Sequence, residues 1–228
     1  MAAAEVRSVQ DVGVVFDLDG ILVNTEPLWE TADRLVVDTY GHPWEAALTR
    51  SRVGIGLEEA TELLAEYLEV SDLERLKAER TQAYLDLLGR GVEPMLGARE
   101  LLIALASVHI PVGVATNAPR ILAETALAVS GLDHLIEEKL VATSDEVEAP
   151  KPAPDVYLLA CNRLSLHPQR VVAIDDSSAG ITAAVEAGLL AVACPTLPDS
   201  NIFHAHRIVN SLCEIDVPEL ISWIEKRV

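Results

Sequence analysis

Two aspartates follow the first apolar run of the chain, in the stretch FDLDGILVNTEPLW. The run at residues 12–16 (VGVVF) predicts a buried strand, and Asp17 and Asp19 lie just beyond it, two residues apart. Alternate residues of an extended segment share a face, so the two carboxylates are expected to converge. Gly20 then allows a sharp turn. Such a pair can act together on a ligand, although an isolated pair is more often one that solvates a turn.

A hydroxyl and an amide follow another apolar run, in the stretch ATNAP, directly before a predicted helix. Thr116 and Asn117 there combine polar side chains with backbone N–H groups at a helix N-terminus, which can bind an anion but is also typical of an ordinary helix cap. Lys151 lies between two prolines in EAPKPAPDVY, just before the next helix. Alone, this lysine would be interpreted as a solvated surface charge.

A second acidic pair, Asp175 and Asp176, ends a third apolar run and begins the stretch DDSSAG. If these runs are parallel strands, all four polar groups lie at or beside the carboxyl edge of one sheet. That edge is where ligands bind in open parallel sheets. Chance placement explains this convergence poorly, so the sequence predicts a functional site there.

The charges at this predicted site do not balance. Asp17, Asp19, Asp175 and Asp176 sum to −4 when ionised, and Lys151 returns only +1. Partly shielded like charges a few ångströms apart repel by roughly several kcal/mol, so protons or a hard cation must neutralise them. Carboxylate oxygens suit Mg²⁺, and the sequence has no His/Cys cluster of the kind that binds zinc. We therefore predict a Mg²⁺ cofactor.

Short apolar runs alternate with helical patterns over most of the chain, which predicts an α/β fold with a parallel sheet. The runs are continuous rather than alternating, as in strands that are covered on both faces. Strands are predicted at residues 12–16, 110–115, 140–142, 171–174, 189–193 and 207–209. Helices between them are predicted at residues 97–108, 119–130, 155–164 and 178–187.

One region breaks this alternation, because residues 26–90 carry only helical periodicity. Three helices are predicted there, at residues 28–40, 57–68 and 73–88. About 65 residues of helix between two strands indicate a small inserted domain. We therefore expect a core of residues 1–24 and 92–228 and a helical cap of residues 25–91.

The composition limits the partners. Lys and Arg total 17 against 36 Asp and Glu, a formal net charge of −19, which excludes nucleic acid and anionic membrane surfaces but not small phosphorylated ligands. Three cysteines, an odd number, indicate thiols in a reducing compartment. The sequence shows neither a signal segment nor a membrane span, so we expect a cytoplasmic protein. A monomer is compatible with the sequence, which leaves the oligomeric state open.

The ordered motifs DxDG, Thr-Asn, Lys-Pro and Asp-Asp-Ser-x-x-Gly resemble those of the haloacid dehalogenase superfamily, in its branch of small-molecule phosphatases and β-phosphoglucomutases. The resemblance covers residues 12 to about 195. It implies a Rossmann-like core, a helical cap inserted after the first motif, and a Mg²⁺ cofactor. It also implies hydrolysis of a small phosphorylated metabolite, such as a sugar phosphate, through an aspartyl-phosphate intermediate.

The same resemblance implies three catalytic roles. Asp17 matches the nucleophile, which is also a metal ligand, and Asp19 matches the general acid and base, whose backbone carbonyl binds the metal. Lys151 matches the lysine that pairs with the nucleophile and the phosphoryl group. A crowd of carboxylates is expected to raise the pKa of one member, as the acid role requires.

Four residues match binding positions of the superfamily. Thr116, with the backbone of Asn117, matches the phosphate-binding motif. Asp176 matches the direct metal ligand, and Asp175 matches an acidic neighbour that often acts through water. Many relatives have Glu at the position of Asp175, so the shorter side chain leaves its direct contact with the metal open.

The alternative activity is that of a β-phosphoglucomutase, which shares the core but returns the phosphoryl group to the sugar. Those enzymes carry a histidine on the first cap helix and an arginine in the following cap loop. This chain has Trp29 at the first position and Leu57 at the second. Loss of two polar or charged contacts favours hydrolysis over the mutase reaction.

Overall fold

Six parallel strands form one sheet within the residues that this computed structural model describes, which are 12–45, 48, 56–196 and 204–226. The spatial order of the strands is β3-β2-β1-β4-β5-β6. Their bounds are β1 (Gly13–Phe16), β2 (Val112–Ala115), β3 (Val141–Ala142), β4 (Val171–Asp175), β5 (Leu190–Ala193) and β6 (Arg207–Ile208).

Eight α-helices occur in the same described residues. They are α1 (Glu26–Thr39), α2 (Leu57–Leu68), α3 (Leu73–Leu88), α4 (Ala98–Ser107), α5 (Arg120–Ser130), α6 (Asp155–Leu164), α7 (Ser178–Glu186) and α8 (Val217–Glu225). Each of these helices is too short or too polar to cross a lipid bilayer.

Helices cover both faces of the sheet, which explains the continuous apolar runs of its central strands. Val14 and Phe16 on β1 pack into one apolar layer, and Val15 between them packs into the other. Every residue of β1, β2, β4 and β5 is buried. In a strand that is buried on both faces, polar and apolar residues do not alternate.

Strand β1 lies at the point where the strand order reverses. Val14 on β1 is paired with Val112 on β2 at one side and with Val172 on β4 at the other. The connections after these strands run in opposite directions, which opens a crevice beyond their carboxyl ends. The residues that follow β1 and β4 therefore face one cleft.

The predicted α/β fold is confirmed, and every predicted strand and core helix lies within two residues of the observed one. Helix α8 was not predicted. Its buried residues Val217, Leu220 and Ile224 have helical spacing, and Pro218 occupies its first turn. A pattern for this helix was therefore present in the sequence, at the end of the chain beyond the last motif.

Helices α1, α2 and α3 follow β1 and have an apolar cluster of their own, which includes Val36, Leu64 and Leu76. The chain enters and leaves this helical region along paired segments. The N–H of Asn24 donates to the carbonyl of Glu93 at 3.1 Å, and Val23 and Pro94 form an antiparallel bridge.

The division into a core of residues 1–24 and 92–228 and a cap of residues 25–91 stays our prediction. Residues 1–11, 46–47, 49–55, 197–203 and 227–228 of these predicted units lie outside the described part of the chain.

A buried ion pair joins the three inserted helices. Nε of Arg80 on α3 donates to Oδ1 of Asp33 on α1 at 2.8 Å, and both side chains are only 2% exposed. Nη1 of Arg80 also donates to the carbonyl of Leu57 at 3.1 Å and to the hydroxyl of Thr61 at 2.5 Å, both on α2. One guanidinium therefore holds all three helices together.

Replacing Arg80 by leucine is expected to lower the free energy of unfolding by about 3–5 kcal/mol, because the Asp33 carboxylate loses its guanidinium while still buried. Denaturant unfolding measures this. The surface pair of Arg34 with Glu30 offers a matched control, because Arg34→Leu removes a solvated contact and should cost much less. The double change of Arg80 and Asp33 to leucine should recover most of the loss. Equal effects of Arg80→Leu and Arg34→Leu would contradict the assignment.

Candidate active site

The carboxyl ends of β1 and β4 bring Asp17 and Asp175 side by side. Asp175 is the last residue of β4, and Asp17 follows β1 directly, with its N–H bonded to the carbonyl of Ile174 at 2.9 Å. Asp17 is 8% exposed and Asp175 is fully buried. Two carboxylates in such poor contact with water need positive charge beside them.

Lys151 supplies that charge by bridging the two strand ends. Its Nζ donates to Oδ1 of Asp17 at 2.6 Å and to Oδ2 of Asp175 at 2.8 Å. Burial alone would lower the pKa of Lys151, but the two carboxylates outweigh it and raise that pKa above its usual value. The two carboxylates therefore favour the charged ammonium, and the interpretation of Lys151 as a solvated surface charge is wrong.

The side chain of Asn117 holds the loop that carries Lys151. Its Nδ2 donates to the carbonyl of Lys151 at 3.1 Å, and the N–H of Lys151 donates to its Oδ1 at 2.8 Å. This reciprocal pair joins the loop after β2 to the loop before α6. This contact between the Asn117 side chain and the Lys151 loop was not apparent from the sequence motif.

The side chain of Asp19 accepts hydrogen bonds from two hydroxyls. Thr25 donates to its Oδ1 at 2.5 Å, and Thr116 donates to its Oδ2 at 3.3 Å. Burial raises the pKa of Asp19, and these two hydrogen bonds only partly oppose the rise. The sequence predicts such a rise from neighbouring carboxylates, whereas burial is the main cause of the raised pKa of Asp19. A carboxyl group that keeps its proton more readily suits a general acid.

Among the described residues, Asp17, Asp175 and Asp176 form a group that could hold a metal ion, with one carboxylate oxygen of each within 4.8 Å of the others. The side chain of Asp19 lies outside this group, so a part for Asp19 in binding a metal would fall to its backbone. Oxygen donors of this kind fit Mg²⁺. Three carboxylates beside one ammonium also leave an excess of negative charge, which a divalent cation would neutralise.

The pKa values of these carboxyl groups agree with an excess of negative charge at the site. Burial, together with the charge of Asp175, raises the pKa of Asp176 to about 7. Burial also raises the pKa of Asp17 well above its usual value, although Lys151 opposes the rise. In contrast, Lys151 and the hydrogen bonds of Tyr157 and Ser177 outweigh burial at Asp175 and lower its pKa.

We expect the affinity for Mg²⁺ to rise about tenfold between pH 6 and pH 8, because a proton occupies Asp176 below a pKa of about 7 and competes with the metal. Isothermal titration calorimetry measures both the affinity and the proton released. Asp176→Asn should bind Mg²⁺ more weakly and lose most of this pH dependence. The same affinity for wild type at both pH values would contradict the prediction.

Two glycines allow the acidic groups to lie where they do. Gly20 has φ +77°, and a Cβ built on it would lie 2.4 Å from Oδ2 of Asp176. A Cβ on Gly180 would lie 1.9 Å from Oδ2 of Asp175. Any larger residue at either position would displace a carboxylate of the site.

Sequence reasoning missed four side chains that contact the site residues. These are Thr25 on Asp19, Tyr157 and Ser177 on Asp175, and Thr196 on Asp176. Ser177 belongs to the DDSSAG motif and Thr25 to the stretch after DLDG, so both were close to a recognised signal. Tyr157 ends the stretch EAPKPAPDVY and Thr196 lies outside every motif, and only the fold brings their hydroxyls to the acidic residues.

Comparison with known proteins relates this chain to a family of hydrolases. Residues 14–194 match the family described as haloacid dehalogenase-like hydrolase. A phosphorylated carbohydrates phosphatase of Thermotoga maritima is 34% identical over 181 residues, which cover 77% of this chain and 81% of that protein. The fructose-1-phosphate phosphatase YqaB of Escherichia coli is 33% identical over 184 residues, 79% and 94% of the two chains.

A solved structure is similar over almost the whole chain. It is a HAD family hydrolase from Deinococcus radiodurans with bound phosphate and sodium. Its TM-score is 0.72 at 27% identity, and the match covers 95% of this chain and 98% of that one. The match therefore spans almost all of this chain, which includes both the sheet and the helices α1 to α3.

Proposed function

Because this chain belongs to the haloacid dehalogenase-like hydrolase family, we propose that it is a Mg²⁺-dependent phosphatase that hydrolyses a small phosphorylated metabolite. The observation that carries this proposal is the ion pair of Lys151 with Asp17 at 2.6 Å, next to the acidic group and to a separately held Asp19. A carboxylate beside a fixed ammonium can accept a phosphoryl group whose charge the ammonium stabilises.

In the first step, an oxygen of Asp17 attacks phosphorus and the bond to the leaving oxygen breaks. Asp19 gives its proton to that oxygen, so that the product leaves as an alcohol and the phosphoryl group remains on Asp17. Lys151 stabilises the negative charge on the transferring oxygens throughout. Mg²⁺, which Asp17, Asp176 and the backbone of Asp19 would hold, supplies further positive charge at the phosphoryl group when it is bound.

In the second step, a water molecule attacks the phosphorus of the aspartyl-phosphate. Asp19, now ionised, takes a proton from this water, and the bond from phosphorus to Asp17 breaks to release inorganic phosphate. The hydroxyl of Thr116 lies beside Asp19 at 3.3 Å, near the oxygens of the transferring group in this proposal. Each residue returns to its starting state, so one molecule of water is consumed in each turnover.

We propose a sugar phosphate as the substrate. Two curated relatives are named a phosphorylated carbohydrates phosphatase and a fructose-1-phosphate phosphatase. The cap would select among such substrates, because the residues given roles in this proposal act on the phosphoryl group that all of them share. The cytoplasm stays the proposed compartment, supported by the free thiols of Cys161, Cys194 and Cys213.

The mutase alternative has less support. Trp29 stacks on Tyr84 with ring centroids 3.9 Å apart, so an apolar ring stands where a mutase carries a histidine. Leu57 begins helix α2 where the mutase arginine would lie. Neither position offers a charged contact to a second phosphate.

A phosphate-release screen over phosphorylated sugars with Mg²⁺ tests the proposal, with Asp17→Asn as the blank. A second reaction contains β-glucose 1-phosphate with catalytic glucose 1,6-bisphosphate, and both products are measured. Free phosphate should form faster than glucose 6-phosphate. Faster formation of glucose 6-phosphate would establish the mutase reaction instead, and an absence of turnover on every substrate would overturn the phosphatase.

A further inference from the structure

The carboxylate of Asp175 accepts four hydrogen bonds. Its Oδ1 accepts from the N–H of Ser177 at 2.9 Å and from the Ser177 hydroxyl at 2.8 Å. Its Oδ2 accepts from Nζ of Lys151 at 2.8 Å and from the hydroxyl of Tyr157 at 2.7 Å. An ionised carboxylate has about four acceptor sites, so these four donors occupy Asp175, and a metal ion in the acidic group would rest mainly on Asp17 and Asp176. Asp175 is therefore organised toward the lysine.

Tyr157 contacts two members of this array at once. It is the third residue of helix α6 and is fully buried. Its hydroxyl binds the same oxygen of Asp175 that Lys151 binds, and its ring lies under the ammonium, with Nζ 4.9 Å from the ring centroid. An ammonium over an aromatic face is attracted by the ring's quadrupole.

This double contact restricts a flexible side chain. A lysine has four rotatable carbon–carbon bonds, and its compact charge does not by itself define a direction. Lys151 is confined by Asp17 in front, by Asp175 at the side and by the Tyr157 ring beneath. Without the tyrosine hydroxyl, Asp175 would lose one of its two donors on Oδ2 and could rotate away from the lysine.

We propose that Tyr157 is a positioning residue for phosphoryl transfer, because its hydroxyl orients Asp175 and its ring supports the Lys151 ammonium in the direction of Asp17. This inference rests on the proposed phosphatase function. The described contacts of Tyr157 at the site are with Asp175 and Lys151, and in this proposal it acts only through these two residues. A tyrosine that merely filled space would need no hydroxyl here.

Tyr157→Phe tests the hydroxyl while it keeps the ring. We expect kcat to fall about 10- to 100-fold, since a hydrogen bond to a charged group is lost, with KM changed less than about threefold. Tyr40→Phe is the matched control, because Tyr40 also donates to a carboxylate, Glu79, at 2.8 Å, but in the cap. That variant should keep the wild-type kcat. A kcat for Tyr157→Phe within twofold of wild type would overturn the proposal.

The ¹H–¹⁵N NMR signal of the Lys151 ammonium gives a second test that does not depend on activity. The chain has only four lysines, and Lys151 is the buried one, while Lys139 and Lys226 are exposed and Lys77 is half-buried. Its ammonium should give a slowly exchanging ¹H–¹⁵N signal that shifts or broadens in Tyr157→Phe and not in Tyr40→Phe. An unshifted signal, or no protected ammonium in wild type, would contradict the proposal.

The Lys151 signal tests the positioning role of Tyr157 separately from the proposed phosphatase function. If no phosphorylated substrate is hydrolysed, the phosphatase fails, whereas the lysine signal still reports whether Tyr157 orients Lys151. If Tyr157→Phe does not fold, wild type labelled with [ζ-¹³C]tyrosine replaces it. The Tyr157 hydroxyl must then exchange slowly with solvent, and fast exchange would overturn the proposal.

Discussion

Replacement of Asp17 by asparagine is expected to abolish turnover, with a fall in kcat of about 10⁴-fold or more. The amide has nearly the shape of the carboxylate but cannot attack phosphorus to form an acyl phosphate. Its oxygen can still accept the hydrogen bond of Lys151, so the array around the lysine should survive. The measurement is phosphate release with Mg²⁺ on the best substrate of the screen.

The affinity of Asp17→Asn for the substrate distinguishes loss of the nucleophile from loss of the folded structure. Asp17→Asn should bind the substrate within about tenfold of the wild-type affinity, because the remaining contacts to the phosphoryl group persist. Asp133→Asn, at an exposed aspartate that is not one of the site residues, makes the same chemical change as a control and should leave kcat unaltered. Turnover of Asp17→Asn within tenfold of wild type would show that the nucleophile is another residue.

Asp19→Asn is expected to lower kcat on a sugar phosphate by about 10²–10⁴-fold, because the sugar oxygen must then leave without a proton. An aryl phosphate such as p-nitrophenyl phosphate needs no such proton, since its phenolate leaves readily. The first step should therefore stay fast on this substrate while the second step, which needs Asp19 as a base, becomes slow. Rapid mixing should show a burst of p-nitrophenolate followed by slow turnover.

The burst tests both roles of Asp19, as the acid of the first step and as the base of the second. Its amplitude should approach one equivalent per enzyme, as the phosphoryl group accumulates on Asp17. The double variant of Asp17 and Asp19 to asparagine should give no burst, because no acceptor remains. Equal losses on the sugar and aryl phosphates, without a burst, would show that Asp19 does not act as the acid and base.

Local patterns were sufficient for most of the fold. Helices at residues 57–68 and 73–88 begin and end where their apolar periodicity does, and both were predicted with these bounds. The strands could be located because residues buried on both faces form short apolar runs between turn residues. The order of the strands in space could not be derived in this way, because pairing depends on contacts between residues far apart in the chain.

The residues of the candidate site could likewise be predicted from local patterns only in part. Asp17, Asp19, Asp175 and Asp176 could be selected from the sequence because each pair follows an apolar run, and the rule for parallel sheets brings such ends together. Lys151 had only a weak local signal, its place between two prolines before a helix, and the resemblance to a family motif was needed to give it a role. Its contacts with Asp17 and Asp175 at 2.6 and 2.8 Å are properties of the fold.

The sequence by itself determined which residues carry charge, that their carboxylates outnumber the nearby cation, and that they stand at strand ends. These properties depend on residue type and short spacing, which the chain encodes locally. Only the tertiary structure decided which partner each charge has. Thr25 donates a hydrogen bond to Asp19, and Tyr157 donates one to Asp175. Burial removes water from these groups, so each must form its hydrogen bonds with the side chains that packing brings near.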